Sequence, residues 1–79
     1  MNELELKEAT KEHVVYFYRP EGRGTPGEIR MVIGDEKATV VSRASEDNSA
    51  GHYAFKAARA VKECVGERSF PLRFIQAWY

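Results

Sequence analysis

His13, His52 and Cys64 are the side chains of this sequence with the most obvious capacity for catalysis or metal binding. A nucleophile–base pair would need His52 and Cys64 within hydrogen-bonding reach of each other. The two residues are twelve positions apart in one predicted helix, which separates them by about 18 Å along the helix axis. The three residues also lack metal-site spacings such as C-x-x-C, H-x-x-x-H and H-E-x-x-H. The sequence therefore predicts no catalytic residues, no metal site and no enzyme activity, and it predicts that Cys64 is a small buried apolar group.

A glycine-rich segment from Gly22 to Gly27 matches the G-x-G-x-x-G pattern of phosphate-binding loops. In dinucleotide-binding proteins this pattern follows a strand and opens a helix. Here the residues after Gly27 alternate as a strand does, so that interpretation fails. The glycine-rich loop of protein kinases does lie between two strands, but 79 residues cannot hold a kinase. We expect a hairpin loop at this position and no bound cofactor.

Four arginines and several aromatic residues fall in predicted strands. The arginines are Arg19, Arg30, Arg43 and Arg73, and the aromatic residues are Tyr16, Tyr18, Trp78 and Tyr79. A basic and aromatic sheet face can stack single-stranded nucleic-acid bases. Against that, twelve basic residues are balanced by twelve acidic ones, and no basic-Gly-aromatic sequence is present. We interpret the arginines as sheet-edge residues that pair with Glu12 or Glu28, and keep single-stranded nucleic-acid binding by the four arginines as the alternative.

The element with the clearest pattern is a helix over residues 49–65. Five small or branched apolar residues fall within about 60° of one helical face, namely Ala54, Ala57, Ala58, Val61 and Val65. Lys56, Arg59 and Glu63 lie on the opposite, solvated side. Ser49 is the predicted N-cap, and Gly66 is the predicted left-handed residue after the last turn.

Four strands are predicted around this helix, at residues 12–19, 28–33, 37–43 and 70–79, because β-branched and aromatic residues alternate there. The second and third form a hairpin around the turn sequence Gly34-Asp35-Glu36. Residues 1–11 alternate only at Leu4 and Leu6, which indicates an N-terminal arm or a short edge strand. The expected fold is a single α+β domain over residues 12–79, with a mostly antiparallel four-stranded sheet (β-β-β-α-β) and one helix packed on one face.

The composition narrows the class of protein further. The longest apolar run has five residues, there is one cysteine, and the N-terminal segment is acidic and lacks an apolar core. These features predict a cytoplasmic protein without a disulfide framework or a membrane span. Charge is unevenly placed, because residues 1–12 hold four Glu and two Lys whereas residues 50–79 hold five Lys or Arg and two Glu.

The predicted sheet is wider than the helix that covers it. Four strands span about 19 Å, a helix is about 10 Å across, and alanines add little width. Part of one face and all of the other would then need another cover. We therefore expect a non-enzymatic protein-interaction or self-associating module, as a homo-oligomer such as a homodimer or with a protein partner. The expected contact residues are Tyr16, Tyr18, Trp78 and Tyr79.

Overall fold

The structure is a computed structural model that describes residues 1–78. Its elements are β1 (Asn2–Ala9), β2 (His13–Pro20), β3 (Gly27–Val32), β4 (Thr39–Ser42), α1 (His52–Glu67) and β5 (Arg73–Gln76). The strands lie in the order β4-β3-β2-β1-β5, and every neighbouring pair is antiparallel. The predicted α+β class, with one helix on one face of an antiparallel sheet, is confirmed.

The sheet has five strands rather than the predicted four, because the N-terminal segment joins it. β1 lies between β2 and β5, so it is an interior strand and neither an arm nor an edge. The two leucines explain its position. Leu4 is fully buried in the core and Leu6 packs against it, while Glu3 and Glu5 lie on the other face, as strand alternation requires.

The predicted hairpin of β3 and β4 is confirmed. Ile29 pairs with Val40 and Arg30 with Thr39, and Gly34 in the intervening turn has φ +102°. A register shift between Glu28 and Ile29 marks an irregularity in the pairing. β4 has four residues and forms one edge of the sheet.

The first turn of α1 is capped from upstream rather than by Ser49. The Asp47 carboxylate accepts hydrogen bonds from the backbone N–H groups of Tyr53 and Ala54, each at 3.1 Å, and Asn48 Oδ1 accepts from His52 N–H at 3.1 Å. A left-handed Gly51, with φ +72°, turns the chain so that these side chains reach the helix end. The prediction of Ser49 as N-cap was therefore wrong.

The C-terminal end of α1 also differs from the prediction. Gly66 is still helical, and Arg68 adopts the left-handed conformation with φ +54°. The N–H of Ser69 then reaches the carbonyl of Cys64 at 3.0 Å, which closes the last turn. The helix extends two residues beyond the predicted end at Val65.

The core lies between α1 and the face of the sheet beneath it. The buried sheet residues are Leu4, Val14, Tyr16, Tyr18, Ile29 and Met31, and the buried helix residues are Ala54, Ala57, Ala60, Val61 and Cys64. The alanines let the helix backbone approach the sheet closely. α1 lies mainly over β3 and β2, with fewer contacts to β4 and β1.

The opposite face of the sheet is covered by its own charged side chains. Arg19 lies 3.5 Å from Glu5 and 3.7 Å from Glu3, and Arg73 lies 3.2 Å from Glu5. Further along, Lys7 pairs with Glu28 at 2.6 Å and stands over the Phe17 ring. The sequence-based expectation that this whole face needs a partner is therefore not supported, since alternating charges suit a solvated sheet face.

Candidate interaction groove

An open groove runs between α1 and the edge strand β4. We call it the interaction groove; its volume is about 590 Å³, and it is lined by Lys37, Ala38, Val40, Arg43, Ala50, Gly51, Ala54, Phe55, Ala58, Arg59 and Lys62. It exists because α1 sits over β3 and β2 and leaves β4 largely uncovered. Small residues on both sides, Ala54 and Ala58 on α1 and Ala38 beside β4, keep it from being filled by the protein itself.

Large apolar side chains are exposed at and beside the interaction groove. Phe55 on α1 is 61% exposed, and Val41 on β4 is 53% exposed. Val40 lines the groove and Ile33 precedes the β3–β4 turn, and both are also exposed. Isolated exposed apolar residues are ordinary, whereas exposed apolar residues that share one concave surface are typical of an interaction site; Phe55 and Val40 share the groove in this way.

One end of the interaction groove is fixed to the core through Arg43 and Asp47. The Arg43 guanidinium donates to the carbonyl oxygens of Asn48 and Ser49 and lies 3.8 Å from the Asp47 carboxylate, whose side chain is 1% exposed. That carboxylate also accepts a hydrogen bond from the Tyr18 hydroxyl at 2.9 Å. Burial of Tyr18 raises its pKa to about 12, so the hydroxyl is a neutral donor at physiological pH. This end of the groove is therefore preorganised.

A second cleft, of about 420 Å³, lies on the other side of α1 against β5 and contains Cys64 between Glu63 and Glu67. Burial raises the pKa of the Cys64 thiol, and a protonated thiol is a poor nucleophile. His52 is exposed at the first position of α1, far from Cys64, as the sequence predicts. The cleft therefore brings together no acid, base and activated nucleophile among the described residues.

The aromatic residues predicted to contact a partner do not form one surface. Tyr16 and Tyr18 are fully buried under α1, and the Tyr16 hydroxyl donates to the Pro71 carbonyl at 2.7 Å. Trp78 is half-buried against the Tyr53 ring, with Lys56 over its face. Tyr79 lies outside the described residues. Tyr16 and Tyr18 are two residues apart on β2 and so share one strand face, but the sequence could not show that α1 covers that face.

Three of the four arginines of the nucleic-acid alternative share the open sheet face, and the fourth lies elsewhere. Arg19 and Arg73 lie on the open sheet face and are paired with glutamates. Arg30 is exposed on that same face, opposite Val15 in the register, and Arg43 lies at the interaction groove. Since Phe17 is partly covered by Lys7, the described part of this face presents no open aromatic platform for bases.

The groove residues that sequence reasoning missed share a helical spacing. Phe55, Arg59 and Lys62 are at positions i, i+4 and i+7 of α1, which places them in one stripe beside the alanine face. That stripe was visible in the sequence, but it resembles an ordinary solvated helix side. What makes it a groove wall is the position of α1 relative to β4, a tertiary feature.

The glycine-rich segment from Gly22 to Gly27 is the predicted loop between β2 and β3. Gly22 and Gly24 have φ of +70° and +76°, a region that favours glycine. Gly27 is needed for a different reason, because a Cβ there would lie 2.3 Å from the Tyr18 ring and 2.5 Å from the backbone nitrogen of Ala44. Chain geometry thus accounts for all three glycines.

Comparison of the chain with protein-family models, with curated proteins and with solved structures gives no match. In the described range 1–78, α1 is neither long nor apolar enough to cross a membrane. Within the same range, His, Cys, Asp and Glu side chains form no group of three or more that could hold a metal ion. Function therefore has to be inferred from the geometry of the interaction groove.

Proposed function

We propose that this chain is a small, non-enzymatic protein-interaction module that receives a segment of another protein in the interaction groove. The observation that carries the proposal is the coincidence of an open edge strand, β4, with exposed Phe55 and Val40 along one preorganised groove. An edge strand offers backbone groups to an added strand, and nearby apolar side chains anchor it.

Charge favours a different protein over a second copy as the partner. In a two-fold symmetric dimer the same patch meets itself. Two copies joined groove to groove would bring two linings that each hold four cations and no acidic described residue against each other. Because juxtaposed like charges oppose association, we propose a heterologous protein partner rather than the homodimer expected from the sheet width.

The test is site-specific photo-cross-linking of the full chain in the cells that produce it. A Phe55→benzoylphenylalanine variant places the cross-linker in the interaction groove, and an Ile75→benzoylphenylalanine variant is the control. Ile75 is 56% exposed but lies on β5, at the other edge of the sheet. We expect a cross-linked protein at Phe55 that is absent at Ile75.

Two results would overturn the proposal. One is the absence of any protein adduct specific to Phe55, together with a monomer in sedimentation. The other is an adduct at Phe55 with twice the mass of the chain, which would show self-association. Recovery of nucleic acid at Phe55 would instead support the single-stranded nucleic-acid alternative.

A further inference from the structure

The interaction groove is strongly basic although the chain as a whole is neutral. Four of the residues that line it are cations, and none of the described lining residues is acidic, whereas the whole sequence has twelve basic and twelve acidic residues. Several glutamates lie at other surfaces, away from the groove. Glu3, Glu5 and Glu28 pair with cations on the open sheet face, and Glu63 and Glu67 lie at the second cleft.

Three of the four groove cations have no internal partner among residues 1–78. Arg43 is held by backbone carbonyls and lies near Asp47. By contrast, no carboxylate lies within 4.0 Å of the charged nitrogens of Lys37, Arg59 or Lys62 in that range. Several unpaired charges of one sign along a concave surface attract an oppositely charged ligand and repel a like-charged one.

The length of the interaction groove fits a short extended peptide. The α1 residues that line it run from Ala54 to Lys62, which is about 12 Å at 1.5 Å per residue, and Ala50 and Gly51 lengthen this wall beyond the start of the helix. An extended chain of about four residues covers the helical part, so a peptide of five or six residues is long enough to span it. The Arg43 guanidinium lies at one end, within 4 Å of the position that a Cβ on Gly51 would occupy, and Lys62 lies at the other end of this wall, so cations stand at both ends of the groove with Arg59 between them.

The floor between the cations is aliphatic. Ala38, Val40, Ala54 and Ala58 line it, and Phe55 is its one aromatic residue among the described lining residues. Binding of single-stranded bases uses successive aromatic platforms, which this floor does not provide. A peptide, in contrast, can place apolar side chains on the floor, acidic side chains at the cations and its backbone beside β4.

From these observations we propose that the groove recognises an extended acidic protein segment in which carboxylate side chains alternate with apolar ones. This inference rests on the proposed function and names its ligand. The apolar side chains pack on Val40 and Phe55, and the carboxylates meet Arg59, Lys62 and Lys37. The open sheet face competes less, since Lys7, Arg19 and Arg73 on it are already paired with glutamates.

The test measures binding of a fluorescein-labelled hexapeptide of alternating glutamate and valine to the full chain by fluorescence anisotropy. We expect saturable binding that weakens as salt is added, because salt screens exposed charges. An R59E/K62E double variant should weaken binding at least about tenfold, because two attractions become two repulsions. Both positions are exposed, so the fold should be retained, and far-ultraviolet circular dichroism checks this.

The R30E variant is the charge control for an R59E single variant, since each reverses one charge. Arg30 is exposed on the opposite face of the sheet, and we expect its reversal to leave peptide affinity within about twofold. If R30E weakens binding as much as R59E does, the peptide is responding to net charge and the inference fails.

Two further probes separate the inference from the proposed function. A glutamine–valine hexapeptide that binds as tightly as the glutamate peptide would overturn acidic recognition but leave the protein-interaction module intact. Oligothymidylate that binds more tightly, and loses affinity in R59E/K62E, would overturn both in favour of nucleic acid. Absence of glutamate-peptide binding at millimolar concentration would refute the inference, while a Phe55-specific protein adduct would still support the module.

Discussion

Replacement of Asp47 by alanine should destabilise this domain more than any other single change in the loop before α1. Its buried carboxylate accepts four hydrogen bonds. Three come from the backbone N–H groups of Asn48, Tyr53 and Ala54, and the fourth comes from the Tyr18 hydroxyl. The Tyr18 oxygen in turn accepts from the buried N–H of Ala44 at 3.0 Å, so Asp47 connects the helix start to the core of the sheet.

The magnitude follows from the groups left without an acceptor. Loss of a helix cap costs about 1 kcal/mol, with a range of about 0.5–2. An unsatisfied buried Tyr18 hydroxyl costs about 1–3 kcal/mol more. The D47A variant should therefore lose about 2–4 kcal/mol of unfolding free energy. A domain of 79 residues has about 4–12 kcal/mol in total, so the loss is a large fraction of its stability.

The assay is urea denaturation followed by far-ultraviolet circular dichroism. With an m-value of about 1 kcal/mol per molar urea for a domain this small, the midpoint should fall by about 2–4 M. S49A is the matched control, because Ser49 is the cap that the sequence predicts but makes no capping bond in the structure. S49A should change the unfolding free energy by no more than about 0.5 kcal/mol.

A double-mutant cycle with Y18F tests the connection itself. Y18F removes the hydroxyl that D47A would leave unsatisfied, so the double variant should lose less than the sum of the two single losses. The expected coupling between Asp47 and Tyr18 is about 0.5–3 kcal/mol. Additive losses would refute the hydrogen bond between them, and a D47A loss no larger than that of S49A would refute the capping role.

Three further predictions concern packing and pH. G27A should lose about 1–3 kcal/mol in urea denaturation, because its added Cβ overlaps the Tyr18 ring, and an unchanged midpoint would contradict that contact. At alkaline pH, burial raises the pKa of Tyr16 and brings that of Tyr18 to about 12, above the value of about 10 in an unfolded chain. The neutral forms thus stabilise the fold below about pH 10, and stability falls as the pH rises toward 12. In a Y53F/Y79F variant, which keeps only Tyr16 and Tyr18 of the four tyrosines, tyrosinate absorbance should appear together with unfolding. Its appearance near pH 10 while that variant is still folded would be the contrary result. At acidic pH, a hydrogen bond from Arg73 holds the pKa of Glu5 below its ordinary value. The stabilisation from this pair is therefore present above the pKa of Glu5 in the unfolded chain, and it is lost as the pH falls through the lowered pKa of the folded state. E5Q should lose stability less steeply than the wild type as the pH falls, and equal slopes would count against the pair.

The sequence predicted the elements that are determined by residue spacing within a single segment of the chain. The helix was predicted from the periodic spacing of Ala54, Ala57 and Val61, and the β3–β4 hairpin from its alternation around Gly34. β1 was harder to predict, because only two leucines alternate among its charges. Its place in the sheet depends on pairing with β5, where Glu5 lies opposite Arg73. The sequence of β1 or of β5 alone does not show that these two strands, at opposite ends of the chain, pair with each other.

The candidate site was not predictable for a related reason. β2 has apolar or aromatic residues on both faces, with Tyr16 on one and Phe17 on the other. Which face α1 covers decides whether Tyr16 is core or surface, and that choice depends on the packing of the whole sheet. The groove likewise requires α1 to lie over β3 rather than β4. Sequence periodicity gives the face of a helix, but not its lateral position on a sheet.

Arg43 has a different role from the other groove cations, because it contributes to the stability of the fold as well as to the charge of the groove. Its guanidinium is already ordered by the carbonyls of Asn48 and Ser49, so little side-chain entropy is lost when it meets a ligand. Its removal would also loosen the loop that carries Asp47. Arg59 and Lys62 are exposed on a helix whose packing does not involve them, so their reversal should alter affinity with little effect on the unfolding free energy. If reversal of Arg59 and Lys62 changes peptide affinity and substitution of Asp47 does not, recognition takes place at the groove wall and does not depend on the stability of the fold.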